Sequence, residues 1–207
     1  MSVINKLASS LNRRDEVPNQ ALAKEIADDN NKKAVQELID NLSNKSKDIQ
    51  SDCIKVLYEI GERKPSLIAG FAKNFIELLD NKNNRLQWGA MTAINTIALV
   101  NPKPIYSAIT KIIEVAEKGT VITKDHAVNI LINLCSVKQY ADNCFTVLIE
   151  QLLSSPPNQL PMYAEKVIPI INENNKKLFI KTLNSRLDDI EKDTKRNRVE
   201  KVIKKFS

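Results

Sequence analysis

Three thiols, one imidazole and one indole are the side chains in this 207-residue sequence with the widest chemical repertoire. Cys53, Cys135 and Cys144 could act as nucleophiles, metal ligands or disulfide partners. None stands in a C-x-x-C pair. Their number is odd, and residues 1–12 show no charged head followed by an apolar run, so no export signal is expected. The reading is reduced thiols in a cytoplasmic protein. His126 has no second histidine or paired cysteine at ligand spacing, whereas structural zinc needs four ligands. No metal site is expected. The sequence has no G-x-x-x-x-G-K, G-x-G-x-x-G, H-E-x-x-H or G-x-S-x-G, which argues against the commonest nucleotide, zinc-protease and esterase chemistries. Neither catalytic residues nor a cofactor are expected.

Charge offers a second kind of chemistry. The chain carries 31 Lys/Arg against 25 Asp/Glu, a net +6. Between Glu173 and Ser207 the count is eleven basic to six acidic, so most of the excess is C-terminal. Lys195, Arg196, Arg198, Lys201, Lys204 and Lys205 form a candidate anion or nucleic-acid patch. Phe206 is the only aromatic residue among them, so there is no run of rings for base stacking. A solvated terminal helix explains the same residues, because cations are favoured at helix C-termini. No segment reaches the ~18 consecutive apolar residues of a membrane span.

The elements that position these groups follow from composition and periodicity. Four glycines and 5% aromatic residues disfavour β-sandwiches and barrels. A spacing of 37 residues recurs along the chain. Cys53, Ala90, Ala127 and Ala164 form one ladder. Val56, Ala93, Ile130 and Val167 form a second, and Leu57, Ile94, Leu131 and Ile168 a third. Ile60, Ile97, Leu134 and Ile171 form a fourth. Within each copy these positions fall at i, i+3, i+4 and i+7, one face of a helix. Upstream ladders mark a preceding helix: Leu42, Leu79, Ala116, Leu153, Ile190; Ile39, Ile76, Ile113, Glu150, Leu187; and Leu38, Phe75, Ile112, Ile149, Arg186. Glu150 and Arg186 are the polar exceptions. Pro65 and Pro102 open first helices, and Pro156-Pro157 cannot continue one.

The pattern predicts helices over 2–12, 18–29, 31–43, 47–62, 66–80, 84–99, 103–118, 123–136, 141–154, 160–172, 175–191 and 194–206. Each unit is a helix pair that cannot bury its stripe alone, so neighbours must stack. The expected architecture is one all-α domain over 1–207. It is a right-handed α-solenoid of stacked antiparallel helix pairs with a 37-residue repeat. Residues 1–30 form an N-terminal cap, 31–172 four regular repeats, and 173–207 a basic C-terminal cap repeat.

With these ladders in place, segments such as NNRLQWGAMTAINTIALVNP (Asn83 to Pro102) resemble the second helix of the HEAT/armadillo class of α-solenoids. The tetratricopeptide period and the ankyrin T-P-L-H are absent. In AVNILINLC, Asn133 aligns with the asparagine of importin-type armadillo repeats. Thr92, Asn129 and Lys166 occupy the tryptophan position, so that peptide-binding ladder is not expected.

The resemblance implies that second helices line a concave surface. Opposite their buried stripes lie the rows Asp48, Arg85, Ile122, Gln159; Ser51, Trp88, Asp125, Met162; Lys55, Thr92, Asn129, Lys166; and Tyr58, Asn95, Ile132, Pro169. Tyr58, Arg85, Trp88, Thr92, Asn95, Asp125, Asn129, Met162 and Lys166 are the expected partner-binding residues. The lone tryptophan is either an interface anchor or a side chain packed on a neighbouring helix. The functional expectation is a non-enzymatic scaffold for a protein or peptide. The alternative is a nucleic-acid-binding relative. The alkylpurine glycosylases of this fold class would need a basic concave face with aromatic rings and a carboxylate. Here only Trp88 with Asp125 could approach that.

Overall fold

The computed structural model describes residues 2–206; Met1 and Ser207 lie outside the described residues. Twelve α-helices and short 3-10 turns account for the regular structure, with no strand among the described residues. In chain order they are α1 (Val17–Asp28), α2 (Lys32–Asp40), α3 (Lys47–Arg63), α4 (Ala72–Leu78), α5 (Asn84–Ile97), α6 (Pro102–Ser107), α7 (Ile109–Lys118), α8 (Val121–Cys135), α9 (Ala141–Ser154), α10 (Leu160–Val167), α11 (Lys176–Asn184) and α12 (Asp193–Phe206). No helix is long and apolar enough to cross a membrane. The chain divides into two compact units, residues 1–127 and 128–207.

Local signals set the helix starts. The Ser46 side chain accepts from the Ile49 N–H at the head of α3, and Asn83 accepts from the Arg85 N–H at 3.0 Å to open α5. Pro102 opens α6, where a missing N–H costs nothing. Several expected helices differ from the observed ones. Residues 2–12 form two 3-10 turns, Val3–Lys6 and Ser9–Leu11. The span 66–80 begins with 3-10 turns at Pro65–Leu67 and Ala69–Phe71 before α4. The span 103–118 breaks at Ala108, and 175–191 stops at Asn184.

In the first unit α3 packs against α1, α2 and α5, and α4 packs against α5. The stripe Cys53, Val56, Leu57, Ile60 is fully buried, as are Ala90, Ala93, Ile94 and Ile97. Two glycines set how closely α3 and α5 approach. A Cβ on Gly61 would clash with Thr96 Oγ1, and one on Gly89 would lie 2.7 Å from Ile54 Cγ1. Neither site has room for a methyl group without movement of a β-branched neighbour.

In the second unit α12 packs on α10 and α11, and α9 packs on α10 and α11. Phe179 is fully buried and meets Phe206 edge to face at 6.1 Å between centroids. The buried stripe of α10 runs through Ala164 to Val167 and then stops. Ile168 falls in a 3-10 turn with Pro169 and is half-buried, as is Ile171.

Arg186, a polar exception in the ladders, has a specific structural task. Helix α9 ends at Ser154, and Ser155 is followed by Pro156 and Pro157, neither of which has an N–H to cap the last carbonyls. The Arg186 guanidinium donates instead to the carbonyls of Leu152 (2.8 Å), Leu153 and Ser155 (3.0 Å). Asp189 accepts from its Nε and fixes the fork. A cation at this helix end also complements the helix dipole.

Candidate functional site

The first unit carries a groove of about 760 Å³. One wall is the segment from Ala8 to Glu16 with Asn19. The other is formed by α3 through Asp48, Ser51, Asp52, Ile54, Lys55 and Tyr58, and by α5 through Arg85 and Trp88. The Trp88 and Tyr58 rings are tilted at 48° with centroids 5.8 Å apart. Lys55 Nζ sits over the Tyr58 ring at 4.8 Å.

Asp52 ties the two walls together. It accepts from the Ser9 N–H (2.7 Å) and from Asn19 Nδ2 (2.7 Å), while Asn19 Oδ1 accepts from the Ala8 N–H (2.9 Å). This bonding explains why Asn19 is buried inside a helix: both ends of its amide are satisfied. The Ser9 hydroxyl oxygen beside it is buried and has no hydrogen-bond partner.

An ion network lies along the same wall. Lys55 Nζ contacts Glu16 at 2.8 Å and Glu59 at 2.9 Å, and Arg63 contacts Glu59 at 2.6 Å. The Lys55 and Glu59 side chains are only 13% and 10% exposed. Burial works against the Lys55 charge, but the carboxylates of Glu16 and Glu59 outweigh it and hold the ammonium above its usual value. Burial likewise opposes the Glu59 charge, and hydrogen bonds from Lys55 and Arg63 outweigh it, so its carboxyl titrates below the usual 4.5. A carboxylate with a depressed folded-state value stabilises the fold above 4.5, and that stability is lost as pH falls through the folded value. The urea midpoint of the wild-type protein is therefore expected to fall between pH 5 and pH 3. Glu59→Gln should lower the midpoint at pH 7 and flatten this acid slope. An unchanged slope in Glu59→Gln would show that other carboxylates, such as Glu165 beside Arg198, carry it.

Of the nine expected partner-binding residues, the groove brings together Tyr58, Arg85 and Trp88. Tyr58 and Thr92 were expected to be exposed and are not, being 6% and 5% exposed. Tyr58 is covered by Trp88. Thr92 Oγ1 donates to the Trp88 carbonyl at 2.9 Å, which uses its only proton. It also lies at hydrogen-bond distance, 3.0 Å, from His126 Nε2. His126 is thus part of the packing of α5 against the start of α8. Asn95 and Asp125 are half-buried in the same unit and do not line the groove. Asn129, Met162 and Lys166 belong to the second unit and are also half-buried. Trp88 is half-buried, so it is both packed on Tyr58 and open to the groove.

The basic C-terminal residues divide into two sets. Lys195 donates to Asn158 Oδ1 (2.8 Å), Arg196 to the Ile190 carbonyl (3.0 Å), and Arg198 to both oxygens of Glu165 (2.8 and 2.6 Å). These three anchor α12. Lys201, Lys204 and Lys205 are exposed on its outer side. Of the six, only Arg198 is paired with a carboxylate; Lys195 and Arg196 bond to neutral carbonyl oxygens and keep their charge.

The three cysteines are free thiols. Burial pushes Cys53 up to about 12, and burial with neighbouring Cys144 pushes Cys135 up to about 12. Burial alone pushes Cys144 up to about 11. No group of three or more His, Cys, Asp or Glu among the described residues could hold a metal ion.

Sequence reading missed the part of the groove contributed by Ser9 to Glu16, because that segment does not fit the repeat frame. The available signal was an asparagine, Asn19, placed on the apolar face of an N-terminal helix.

No family model matches the sequence, and no curated protein is similar to it. The fold does match solved structures. A designed armadillo repeat protein in complex with a (KR)4 peptide superposes with a TM-score of 0.69 at 14% identity, covering 91% of this chain and 87% of that one. A computationally designed armadillo repeat protein for modular peptide recognition matches at TM-score 0.63 and 16% identity, covering 99% and 98%. An engineered protein matches at 0.61 and 20% identity, covering 99% and 100%. The chain has the all-helical armadillo/HEAT-like repeat fold.

Proposed function

We propose that this protein is a non-enzymatic helical-repeat scaffold that holds a short segment of a protein partner in the groove beside Trp88. The observation that carries this reading is the groove itself. A half-buried indole stands beside a buried tyrosine, with polar and charged groups on both walls. Tryptophan, tyrosine and arginine are enriched at binding hot spots, and the two aromatic types contribute large contact areas at low entropic cost. The fold is shared with designed repeat proteins, one of them in complex with a peptide. Free cysteines support a cytoplasmic setting. The outward-facing lysines of α12 support its role as a polar C-terminal cap.

Trp88→Ala tests the proposal on a peptide array. Wild-type protein should retain a set of short peptides, and the variant should lose them by about thirtyfold or more, the loss of a hot-spot side chain. Trp88→Phe should keep part of the binding. Circular dichroism melts establish that both variants fold. An identical set of peptides on wild-type and Trp88→Ala protein would exclude the groove as the binding site.

A further inference from the structure

The N-terminal wall of the groove is held differently from the helical wall that faces it. Residues 10–17 are exposed throughout, and the two large apolar side chains among them, Leu11 and Val17, are 49% and 57% accessible. The segment therefore gains little from burial. Buried residues flank it, Leu7 and Ala8 on one side and Pro18 and Asn19 on the other. Within it, the Asp15 carboxylate accepts from Arg13 and from the Val17 N–H, so the segment is bonded largely to itself and can move as one piece.

The two ends of the segment meet on one carboxylate. Asp52 accepts from the Ser9 N–H on one oxygen and from Asn19 Nδ2 on the other, each at 2.7 Å. Asn19 Oδ1 completes the junction by accepting from the Ala8 N–H. A surface loop joined at its base in this way is an Ω-loop, a form often used for function. Among the described residues, the one ion pair from its middle to the opposite wall joins Glu16 to Lys55. Glu16 is 63% exposed, so this pair is weak and is screened by salt. Lys55 loses little when Glu16 leaves, because Glu59 and the face of Tyr58 still hold it.

On the reading that this groove is the binding site, we infer that residues 10–17 are a flap that swings away from Tyr58 and Trp88 to admit the partner segment and then closes on it. Asp52 pins both ends of the flap and is its positioning residue. Glu16 latches the middle to Lys55. The weak latch lets the flap open, and the tied base returns it to the same place. The flap and the facing wall carry separate reporters. Trypsin cleaves after Arg13 and Arg14 on the flap, and acrylamide quenches the emission of Trp88, the only tryptophan, across the groove.

The test uses the full-length protein at two salt concentrations, with a synthetic peptide of residues 9–19 correcting for the response of trypsin itself. Cleavage through an open state in fast exchange follows the population of that state. In wild-type protein, higher salt should speed cleavage and increase Trp88 quenching. At low salt Glu16→Gln should be cleaved about threefold faster than wild type, the scale of one exposed ion pair, and should no longer respond to salt. Asp52→Asn should be cleaved about tenfold faster or more, because the pinned ends loosen. Asp28→Asn removes another exposed ion pair of the same unit and should behave as wild type. Thermal melts of Glu16→Gln should match wild type, which separates flap opening from unfolding. Peptides retained by the groove should slow cleavage at Arg13 and Arg14. The inference is overturned if Glu16→Gln is cleaved and quenched as wild type is, if Asp28→Asn matches it, or if peptides bound in a Trp88-dependent manner leave cleavage unslowed. If both reporters respond as expected while an array retains no peptide, the flap stands and the binding reading fails.

Discussion

Phe75→Ala is expected to destabilise the first unit by about 3–5 kcal/mol, the usual cost of removing a fully buried phenylalanine ring. Phe75 is on α4 and is completely inaccessible to solvent. Helix α4 has only seven residues and makes its main helix contact with α5. A helix that short has almost no stability of its own, so it depends on what it buries. Loss of the ring therefore removes both the transfer free energy and the reason for α4 to stay docked. Trp88, on α5, gives the readout: the urea midpoint followed by its fluorescence should fall steeply. Phe75→Leu, which refills most of the volume, should lose less than half as much. A midpoint for Phe75→Ala within about 0.5 kcal/mol of wild type, the range of ordinary surface changes, would mean that α4 contributes nothing to this unit.

Arg186→Ala carries the second large effect, in the other unit. The Arg186 side chain is 12% exposed and donates to three main-chain carbonyls at the end of α9. Hydrogen bonds from a charged donor contribute about 1.5–3 kcal/mol each in favourable cases, and they are not additive here because one group makes all three. A net loss of about 2–4 kcal/mol is expected from the same scale. The decisive comparison is Arg186→Lys. Lysine keeps the charge near the helix end, but it cannot span three acceptors with a planar fork. It should recover less than half of the stability. Hydrogen exchange gives a local readout, since amides in the last turn of α9 should lose protection before the rest of the unit. If the Arg186→Lys variant were as stable as wild type, the dipole alone would account for the arginine.

The same residue shows what was legible in the sequence and what was not. The ladder marked Arg186 as a break in an apolar row, and Pro156-Pro157 as the end of a helix. Both readings hold, but their connection is invisible in sequence. It depends on two positions about thirty residues apart coming together so that one supplies the donors the other lacks. The buried stripes were legible because they depend only on period and side-chain type, and Cys53, Val56, Leu57 and Ile60 are all buried as the ladder requires. Tyr58 and Thr92 were misplaced for a related reason. A helical wheel gives each helix one buried and one solvated face. In a stack of helices the flanks are also covered, Tyr58 by Trp88 and Thr92 by His126. The groove was half legible. Its α3 and α5 wall follows from the wheel. Its N-terminal wall is built from 3-10 turns and a loop, which have no periodicity to read.

The three raised thiols have a practical consequence. Alkylating reagents attack the thiolate, and Cys53 and Cys144 are buried as well as raised, so both are protonated at neutral pH while their surroundings stay closed. Modification then waits for the chain to open. Cys53 lies in the first unit and Cys144 in the second, so the protein carries a chemical clock in each. The pace at which each thiol is trapped under native conditions measures how often its own unit breathes, with no added label.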